Sequence, residues 1–273
     1  MTDRGQWYAQ PLEVHDPAEC YFYHTVDLPT YGLIRGEWDL RGSVDAYLGH
    51  ERLAGKRVLE IGTADGYLCF EMEKRGAEVV GYDLSDDDLW DIVPYRKAIT
   101  DEARRNWRAH IGKINNAWWL MHRLLGSKAR AVYGTAYSVP PEIGPFDVAT
   151  FGSILLHLRD PFLALQRTAA ITTETLIVTD VVPSFPIYHR PLFYALRLLA
   201  KFDSRAGRLV PELLFLPDPD RMKPEDTWWN LSPGLVCRFL RVLGFPNLRV
   251  SYHTQEHRTS GARNLYTVVG KRS

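Results

Sequence analysis

Residues 56–85 have the pattern of a β-α-β unit, in which a helix joins two buried strands. Residues 57–61 form a short apolar run bounded by polar residues, which is typical of a buried parallel strand. Residues 67–75 carry apolar side chains at helical spacing, and residues 77–82 form a second apolar strand. Strands connected in this way predict an α/β fold with a parallel sheet.

Small residues form the turn between the first strand and the helix, and an acid ends the second strand. The turn reads Glu60-x-Gly62-x-Ala64-x-Gly66, and Asp83 follows about 20 residues later. Such a turn lets backbone N–H groups approach a ligand at the helix N-terminus, while the acid accepts hydrogen bonds from ribose hydroxyls. Dehydrogenases and transferases share this pattern, and an ordinary turn in a non-binding protein is the alternative. The ligand contacts predicted in this unit are Glu60, Gly62, Thr63, Ala64, Gly66, Asp83 and Leu84.

Five further apolar segments predict the strands that complete the sheet. They are residues 129–133, 146–151, 175–182, 248–253 and 265–269. The last two are expected to pair antiparallel at the sheet edge. Together with the β-α-β unit, they predict a sheet of seven strands.

Helical patterns separate these strands. Ser85 is predicted to cap a helix with three aspartates in its first turn, and residues 90–128 are predicted to form two helical segments. Further helices are predicted from residue 160 to about 170 and from residue 233 to about 243. Residues 104–130 are locally basic, which favours a solvated helical face over a nucleic-acid track.

The chain divides into four predicted parts. Residues 1–50 form an aromatic N-terminal arm, which either folds over the ligand cleft or packs on the outside of the sheet. Residues 51–182 form the core, and residues 228–273 complete it. Residues 183–227 contain seven prolines and interrupt the alternation, so we interpret them as a lid or substrate-binding insertion.

Composition limits the possible classes of function. The 33 basic and 33 acidic residues balance, so the total charge does not demand a polyanionic partner. The three cysteines lie far apart without metal-ligand spacing, which predicts reduced thiols and no metal site. No apolar run reaches about 18 residues and the N-terminus has no signal-like segment, so we expect a soluble cytoplasmic enzyme without a membrane partner.

Four stretches together resemble class I S-adenosylmethionine-dependent methyltransferases, in the branch that contains the tRNA wobble-uridine carboxymethyltransferases. They are Gly36-Glu37-Trp38 followed by Asp45, the turn at residues 60–66, FGSILLHLRDPFLAL at residues 151–165, and residues 229–245. The resemblance covers nearly the whole chain, and it implies a seven-stranded Rossmann-like sheet with S-adenosylmethionine as cofactor. The cofactor contacts that it adds to the β-α-β unit are Trp38, Ala136 and Tyr137, while Phe151 and Gly152 are predicted contacts because they end the fourth strand at the ligand-binding edge of the sheet.

Departures from that branch change the expected reaction. Its carboxymethyl-transferring members hold an extra cofactor carboxylate with a Lys, a Tyr and an Arg, where this chain has His24, Leu156 and Arg263. Losing the Lys and the Tyr hydroxyl removes most of the pairing that this carboxylate needs. A second cofactor-site Lys of the branch falls on Ser43. The sequence therefore predicts ordinary S-adenosylmethionine and methyl transfer, and it weakens the case for tRNA as the acceptor.

The predicted acceptor is a small, partly apolar metabolite that is methylated at oxygen. His157 follows the fourth core strand at the edge where ligands of parallel sheets bind, so it is the predicted general base. The alternative for His157 is a structural role in bracing the next helix. The predicted substrate contacts are His24, Tyr188, His189, Trp228, Trp229 and Arg263. Rival functions are a tRNA methyl- or carboxymethyltransferase, a non-catalytic relative of the fold and, third, a nicotinamide dehydrogenase.

Overall fold

The computed structural model describes residues 4–96, 99–183 and 213–273, which form a mixed α/β fold around an eight-stranded sheet. The strands are β1 (Val26–Leu28), β2 (Gly32–Ile34), β3 (Trp38–Asp39), β4 (Arg57–Ile61), β5 (Glu78–Asp83), β6 (Arg130–Tyr133), β7 (Phe146–Gly152), β8 (Thr172–Val181), β9 (Leu213–Phe215), β10 (Trp229–Leu231), β11 (Asn247–His257) and β12 (Gly261–Lys271). The helices in the described ranges are α1 (Val44–Tyr47), α2 (Tyr67–Lys74), α3 (Asp101–Leu125), α4 (Pro161–Ala169) and α5 (Pro233–Val242).

The central sheet has the strand order β3-β11-β12-β8-β7-β4-β5-β6. Strands β4 to β8 pair in parallel, and β11 and β12 form the antiparallel pair predicted from the sequence. The chain enters the parallel part of the sheet at β4, extends outward through β5 and β6, and then returns to β7 on the other side of β4. In open α/β sheets, ligands bind at the carboxyl ends of the strands where the order reverses in this way.

The sheet has one strand more than the seven predicted. Trp38 pairs with His257 and Asp39 with Glu256, so β3 extends the antiparallel edge next to β11. The two residues of β3 come from a segment with no alternating apolar pattern, and tertiary contacts alone place them there. The predicted Rossmann-like fold class is otherwise confirmed.

Helices cover both faces of the sheet, because side chains alternate along each strand. On one face, Val58 and Val79 lie in an apolar cluster with side chains of α2 and α3. On the other face, Leu59 and Val80 lie in a second cluster with side chains of α4 and α5. Burying both faces fixes the sheet between two helical layers and exposes its strand ends as the place for a site.

The helix predicted to begin at Ser85 is absent, and the two helical segments predicted in residues 90–128 form a single helix. Residues 85–96 contain no helix, because Asp88 accepts hydrogen bonds from the Ser85 backbone N–H and hydroxyl at 3.0 and 2.8 Å and closes a turn instead. The helix begins later, where the Thr100 hydroxyl accepts from the Ala103 N–H at 3.1 Å. From there α3 runs without a break until Gly126 adopts a left-handed conformation.

The N-terminal arm lies along α3. The Tyr21 N–H donates to the Lys113 carbonyl at 2.9 Å, and the Asn116 side chain donates to the Glu19 carbonyl at 3.0 Å. No helix in the three described ranges is long and apolar enough to cross a membrane. The greater part of the predicted insertion lies outside the described residues, whereas β9 and β10 at its C-terminal side form a two-stranded antiparallel sheet.

Candidate functional site

A cavity of about 590 Å³ opens at the carboxyl ends of the parallel strands. Its walls come from the turns after β4, β5, β6 and β7, from the first half of α3 and from the N-terminal arm. Eight of the residues predicted from the sequence line this cavity. They are Gly62, Ala64, Asp83, Leu84, Ala136, Tyr137, Gly152 and His157.

The turn after β4 brings main chain to the cavity wall. Gly62, Ala64 and Gly66 all have positive φ angles, of 77°, 48° and 84°. A Cβ atom at Gly62 would collide with the Ile154 side chain, and one at Gly66 would lie 2.5 Å from the Trp118 ring. Gly62 therefore makes room for Ile154, which lines the cavity beside it, whereas Gly66 serves the packing of α2 on α3.

Asp83 is held at the end of β5 with both carboxylate oxygens oriented by the backbone. Oδ2 accepts from the Ala64 N–H and Oδ1 from the Leu84 N–H, each at 2.7 Å. Burial raises the pKa of Asp83, and these two hydrogen bonds lower it again in part. Because a carboxylate oxygen has more than one acceptor position, each oxygen can also receive a hydroxyl from a ligand in the cavity.

Glu60 and Thr63 lie behind the turn rather than on the cavity wall. The Glu60 side chain is only 2% exposed and accepts a hydrogen bond from the Thr63 hydroxyl at 2.7 Å. Burial raises the pKa of Glu60 to about 8, so at neutral pH its carboxyl is mostly protonated. Glu60 is not among the lining residues of the cavity, and its hydrogen bond to Thr63 supports the turn from beneath.

The end of β7 forms the facing wall. Ser153 adopts a left-handed conformation with φ of 51°, which is uncommon for a residue with a side chain. Its backbone N–H donates to the Thr179 carbonyl at 2.7 Å, and its hydroxyl lies 3.1 Å from the buried Tyr47 hydroxyl. These contacts hold the strained turn and fix a hydroxyl group at the cavity surface.

His157 ends a short 3₁₀ helix after β7 and reaches the cavity. His157 is an exposed residue, and it lies on the cavity wall. Partial loss of contact with water lowers the pKa of His157 to about 4, and the charge of Asp226 opposes this effect. At neutral pH the imidazole is therefore uncharged and can accept a proton.

The arm and α3 form a wall of the cavity whose individual residues were not predicted from the sequence. Tyr21, Tyr23 and Glu37 line the cavity from the arm, and Trp90 and His110 face it from the segment after β5 and from α3. The expectation that aromatic side chains of the arm lie over a cleft agrees with the positions of the two tyrosines. The only sequence signal for Glu37 was its place beside Trp38 in the Gly-Glu-Trp stretch.

Several predicted contacts lie away from the cavity. Trp38 packs edge-on against His257 with ring centroids 4.7 Å apart, and Arg263 is exposed on β12. Trp228 and Trp229 donate their indole N–H groups to the Asp91 and Leu158 carbonyls, which gives them packing roles. The remaining predicted residues that do not line the cavity are Thr63, Gly66, Phe151 and His24. Tyr188 and His189 lie outside the described residues.

His24 is buried against the turn after β4 instead of facing the cavity. Its ring Nδ1 lies 2.6 Å from Asp65 Oδ1, and its backbone N–H donates to Asp65 Oδ2 at 2.7 Å. Asp65 is fully buried, and the His24 ring stacks on Tyr67 at 5.4 Å. The pair therefore connects the arm to the start of α2.

The cavity is lined by acidic and not by basic side chains. No Lys or Arg occurs among the lining residues that the structure describes. Five carboxylates are present there: Glu37, Asp83, Asp91, Glu225 and Asp226. The described residues contain no group of three or more His, Cys, Asp or Glu side chains arranged to hold a metal ion.

Comparison with known proteins agrees with this architecture. A family model described as a methyltransferase domain matches residues 40–198. No curated protein matches the chain. The solved structure of 1,6-didemethyltoxoflavin-N1-methyltransferase from Burkholderia thailandensis, which holds 1,6-didemethyltoxoflavin and S-adenosylhomocysteine, has a TM-score of 0.52 at 13% identity and covers 86% of this chain and 78% of that chain. At this identity the similarity concerns the fold.

Two other solved structures are similar over most of the chain. One is an S-adenosylmethionine-dependent methyltransferase from Methanosarcina mazei, with 18% identity, a TM-score of 0.49 and coverage of 86% of this chain and 98% of that chain. The other is magnesium protoporphyrin IX methyltransferase from Synechocystis PCC 6803 with bound S-adenosylhomocysteine, with 15% identity, a TM-score of 0.48 and coverage of 84% and 80%.

Proposed function

Because the chain belongs to the methyltransferase-domain family and is an S-adenosylmethionine-dependent methyltransferase, we propose that it methylates a small, partly apolar metabolite at an oxygen atom. One observation carries the proposal. A single cavity at the strand ends joins the ribose-type acid Asp83 to a wall that holds an uncharged histidine, His157. A donor and an acceptor can therefore meet in one cavity.

The residues present fit this cofactor. Asp83 keeps acceptor positions for two ribose hydroxyls, and Gly62 and Ala64 bring the turn after β4 to the cavity wall. Leu84, Ala136 and Tyr137 supply the apolar and aromatic surface that an adenine ring needs. When bound, the cofactor would supply a methyl group on positively charged sulfur, and S-adenosylhomocysteine would be the leaving group as the acceptor's bond to the methyl carbon replaces the carbon–sulfur bond.

The chain's own residues orient the acceptor and remove its proton. If the acceptor is a hydroxyl, the imidazole of His157 accepts the proton as oxygen becomes nucleophilic. Ser153 presents a fixed hydroxyl on the same wall and can hydrogen-bond the acceptor. The arm, residues 1–50, closes one side of the cavity and so limits the access of water. We assign the lid role to residues 183–227 on the sequence pattern alone.

Charge supports a small acceptor over tRNA. A polyanion or a carboxylate-bearing cofactor needs basic partners, and the described cavity wall offers five carboxylates and no Lys or Arg. His24, at the position of the carboxylate-binding Lys in the resembling branch, has its Nδ1 against Asp65. These observations favour ordinary S-adenosylmethionine and methyl transfer.

Calorimetry on the unmodified protein, D83N and D87N tests the cofactor site. An Asn at position 83 leaves one of the two backbone N–H groups facing an amide N–H₂ instead of an acceptor. Since a hydrogen bond to a charged group contributes about 1.5–3 kcal/mol, D83N should weaken S-adenosylmethionine binding roughly 10- to 100-fold. D87N changes an exposed acid outside the cavity and should bind normally. Equal affinity of D83N and D87N would contradict the site.

The acceptor class is tested with matched substrates. Release of S-adenosylhomocysteine is measured with hydroxylated aromatic compounds, with the same compounds capped as methyl ethers, and with bulk tRNA. We expect turnover with free hydroxyls and none with the capped forms. Turnover with tRNA alone would support the RNA-modifying alternative, and absence of cofactor binding would support a non-catalytic relative.

A further inference from the structure

The part of the cavity between the arm and α3 has the composition of a cation-binding site. We define the arm-side pocket as Tyr21, Tyr23, Glu37, Trp90 and His110, all of which line the cavity. Tyr21 and His110 have ring centroids 4.3 Å apart, and Trp90 and His110 have centroids 5.6 Å apart. Three aromatic rings therefore lie close together on one wall, with a carboxylate among them.

Glu37 is the charged group of this pocket, and no described cation neutralises it. Its carboxylate accepts a hydrogen bond from the Tyr21 hydroxyl, and no Lys or Arg of the described ranges lies within ion-pair distance of it. The Arg258 backbone N–H donates to the Glu37 carbonyl at 2.7 Å, and the charge of Arg258 lowers the pKa of Tyr21 against the larger effect of burial. The hydrogen bond fixes the carboxylate without removing its negative charge.

The neighbouring titratable groups do not supply a positive charge either. Burial lowers the pKa of His110, with Glu37 opposing this effect and Lys113 adding to it, so the imidazole is uncharged at neutral pH. Burial and the bond to Glu37 raise the pKa of Tyr21, which keeps its proton. The pocket thus combines aromatic faces, one neutral imidazole and one fixed negative charge.

We propose that the arm-side pocket binds an ammonium or quaternary ammonium group of the methyl acceptor, so that the acceptor is a cationic, partly apolar small molecule. Aromatic faces attract a cation through their quadrupoles, and this attraction increases where water is excluded. Glu37 adds a direct charge attraction. The cation anchors one end of the acceptor, and the other end extends towards Ser153 and His157. This inference rests on the proposed small-molecule methyltransferase function and names its substrate class.

The proposal disfavours two other classes of acceptor. Carboxylates and phosphates would lie against Glu37 and against the other acidic residues of the cavity, where like charges repel. A neutral aromatic compound would fill the pocket but would leave Glu37 without a counter-charge. The amino group of S-adenosylmethionine itself is the one competing cation, and the test must separate it from the acceptor.

Three probes of nearly identical shape test the charge preference. Tyramine, tyrosol and 4-hydroxyphenylacetate share a phenol and differ in a positive, neutral or negative chain end. Their binding is measured by calorimetry to the full chain saturated with S-adenosylhomocysteine, together with tetramethylammonium as a cation without a phenol. We expect tyramine to bind at least about tenfold more tightly than tyrosol, because one cation–π contact with added charge attraction contributes free energy of that order. We expect no binding of 4-hydroxyphenylacetate.

Two variants assign the preference to the pocket. E37Q keeps an acceptor for the Tyr21 hydroxyl and should remove the preference for tyramine over tyrosol, with the affinity for S-adenosylhomocysteine unchanged. W90L should weaken the binding of tyramine more than the binding of tyrosol. D87N changes a residue outside the cavity and should bind all probes as the unmodified chain does.

Three results would overturn the assignment. They are equal binding of tyramine and tyrosol, failure of both tyramine and tetramethylammonium to bind, and a loss of S-adenosylhomocysteine affinity in E37Q, which would give the pocket to the cofactor's amino group. If the unmodified chain does not bind S-adenosylhomocysteine at all, the proposed function fails before this inference is reached.

Discussion

His157 lies on the cavity wall and has a lowered pKa, so its ring is free of a proton at neutral pH and can accept one. Its pKa of about 4 means that the ring is uncharged over the whole physiological range. Asp226 stabilises the protonated ring and so raises the pKa towards its ordinary value. A base of this kind loses activity only in acid.

We expect H157Q to lower kcat by roughly 10²- to 10⁴-fold while cofactor affinity stays constant, which is the range for loss of a general base. The acid limb of the unmodified enzyme's kcat/KM profile should fall below about pH 5, and D226N should move that limb to lower pH. Steady-state assays across pH measure both effects. H15Q, at an exposed histidine of the arm, is the control. Full activity in H157Q would leave His157 with a bracing role only.

Sequence patterns predicted the residues whose position follows from local geometry. Gly62, Ala64 and Asp83 belong to one β-α-β unit, so their spacing already placed them at the strand ends. Glu37 and His110 come from segments far apart in the chain. Their meeting depends on how the arm lies along α3, which no local periodicity encodes.

The His24–Asp65 pair connects the N-terminal arm to the turn that precedes α2. Asp65 is fully buried and accepts from the His24 backbone and ring and, at 3.3 Å, from the Tyr67 N–H. A buried carboxylate with these donors holds the arm against the N-terminus of α2. Removing its charge leaves the same donors with a weaker acceptor.

D65N should therefore lower the free energy of unfolding by about 1–3 kcal/mol and loosen the arm. Denaturant titration measures the first effect, and faster amide hydrogen exchange in residues 21–38 reports the second. D45N removes the exposed Arg75–Asp45 ion pair and should cost at most about 1 kcal/mol. Unchanged exchange in the arm of D65N would show that other contacts hold it.

The predicted strands were confirmed where apolar runs are long enough to be buried on both faces. β4, β5, β7 and β8 are of this kind, and the antiparallel pair β11 and β12 proved longer than its apolar centre. The prediction at Ser85 was wrong because Asp88 offers the Ser85 N–H a local acceptor, and a turn competes with the helix there. β3 could not be predicted because only its partner strand defines it.

Both faces of the sheet carry a buried carboxyl group, and together they link the stability of the fold to pH. Burial raises the pKa of Glu60 to about 8 and that of Asp180 to about 7. Asp180 lies at the end of β8, where its Oδ2 has no partner among the described residues. In the unfolded chain both groups ionise near their ordinary values of 4.5 and 3.8. The folded protein therefore holds two protons that the unfolded chain releases.

Because the folded state binds more protons between these values, its stability falls as pH rises from about 4.5 to about 8. E60Q has no proton to lose at this position, so the unmodified protein should lose stability relative to E60Q by up to about 1.4 kcal/mol per pH unit in that window. Below pH 4 the difference between the two should be constant. Urea titrations at half-unit steps of pH, with the exposed-site variant E142Q as control, measure it. A difference that does not change with pH would mean that Glu60 is ionised in the folded protein.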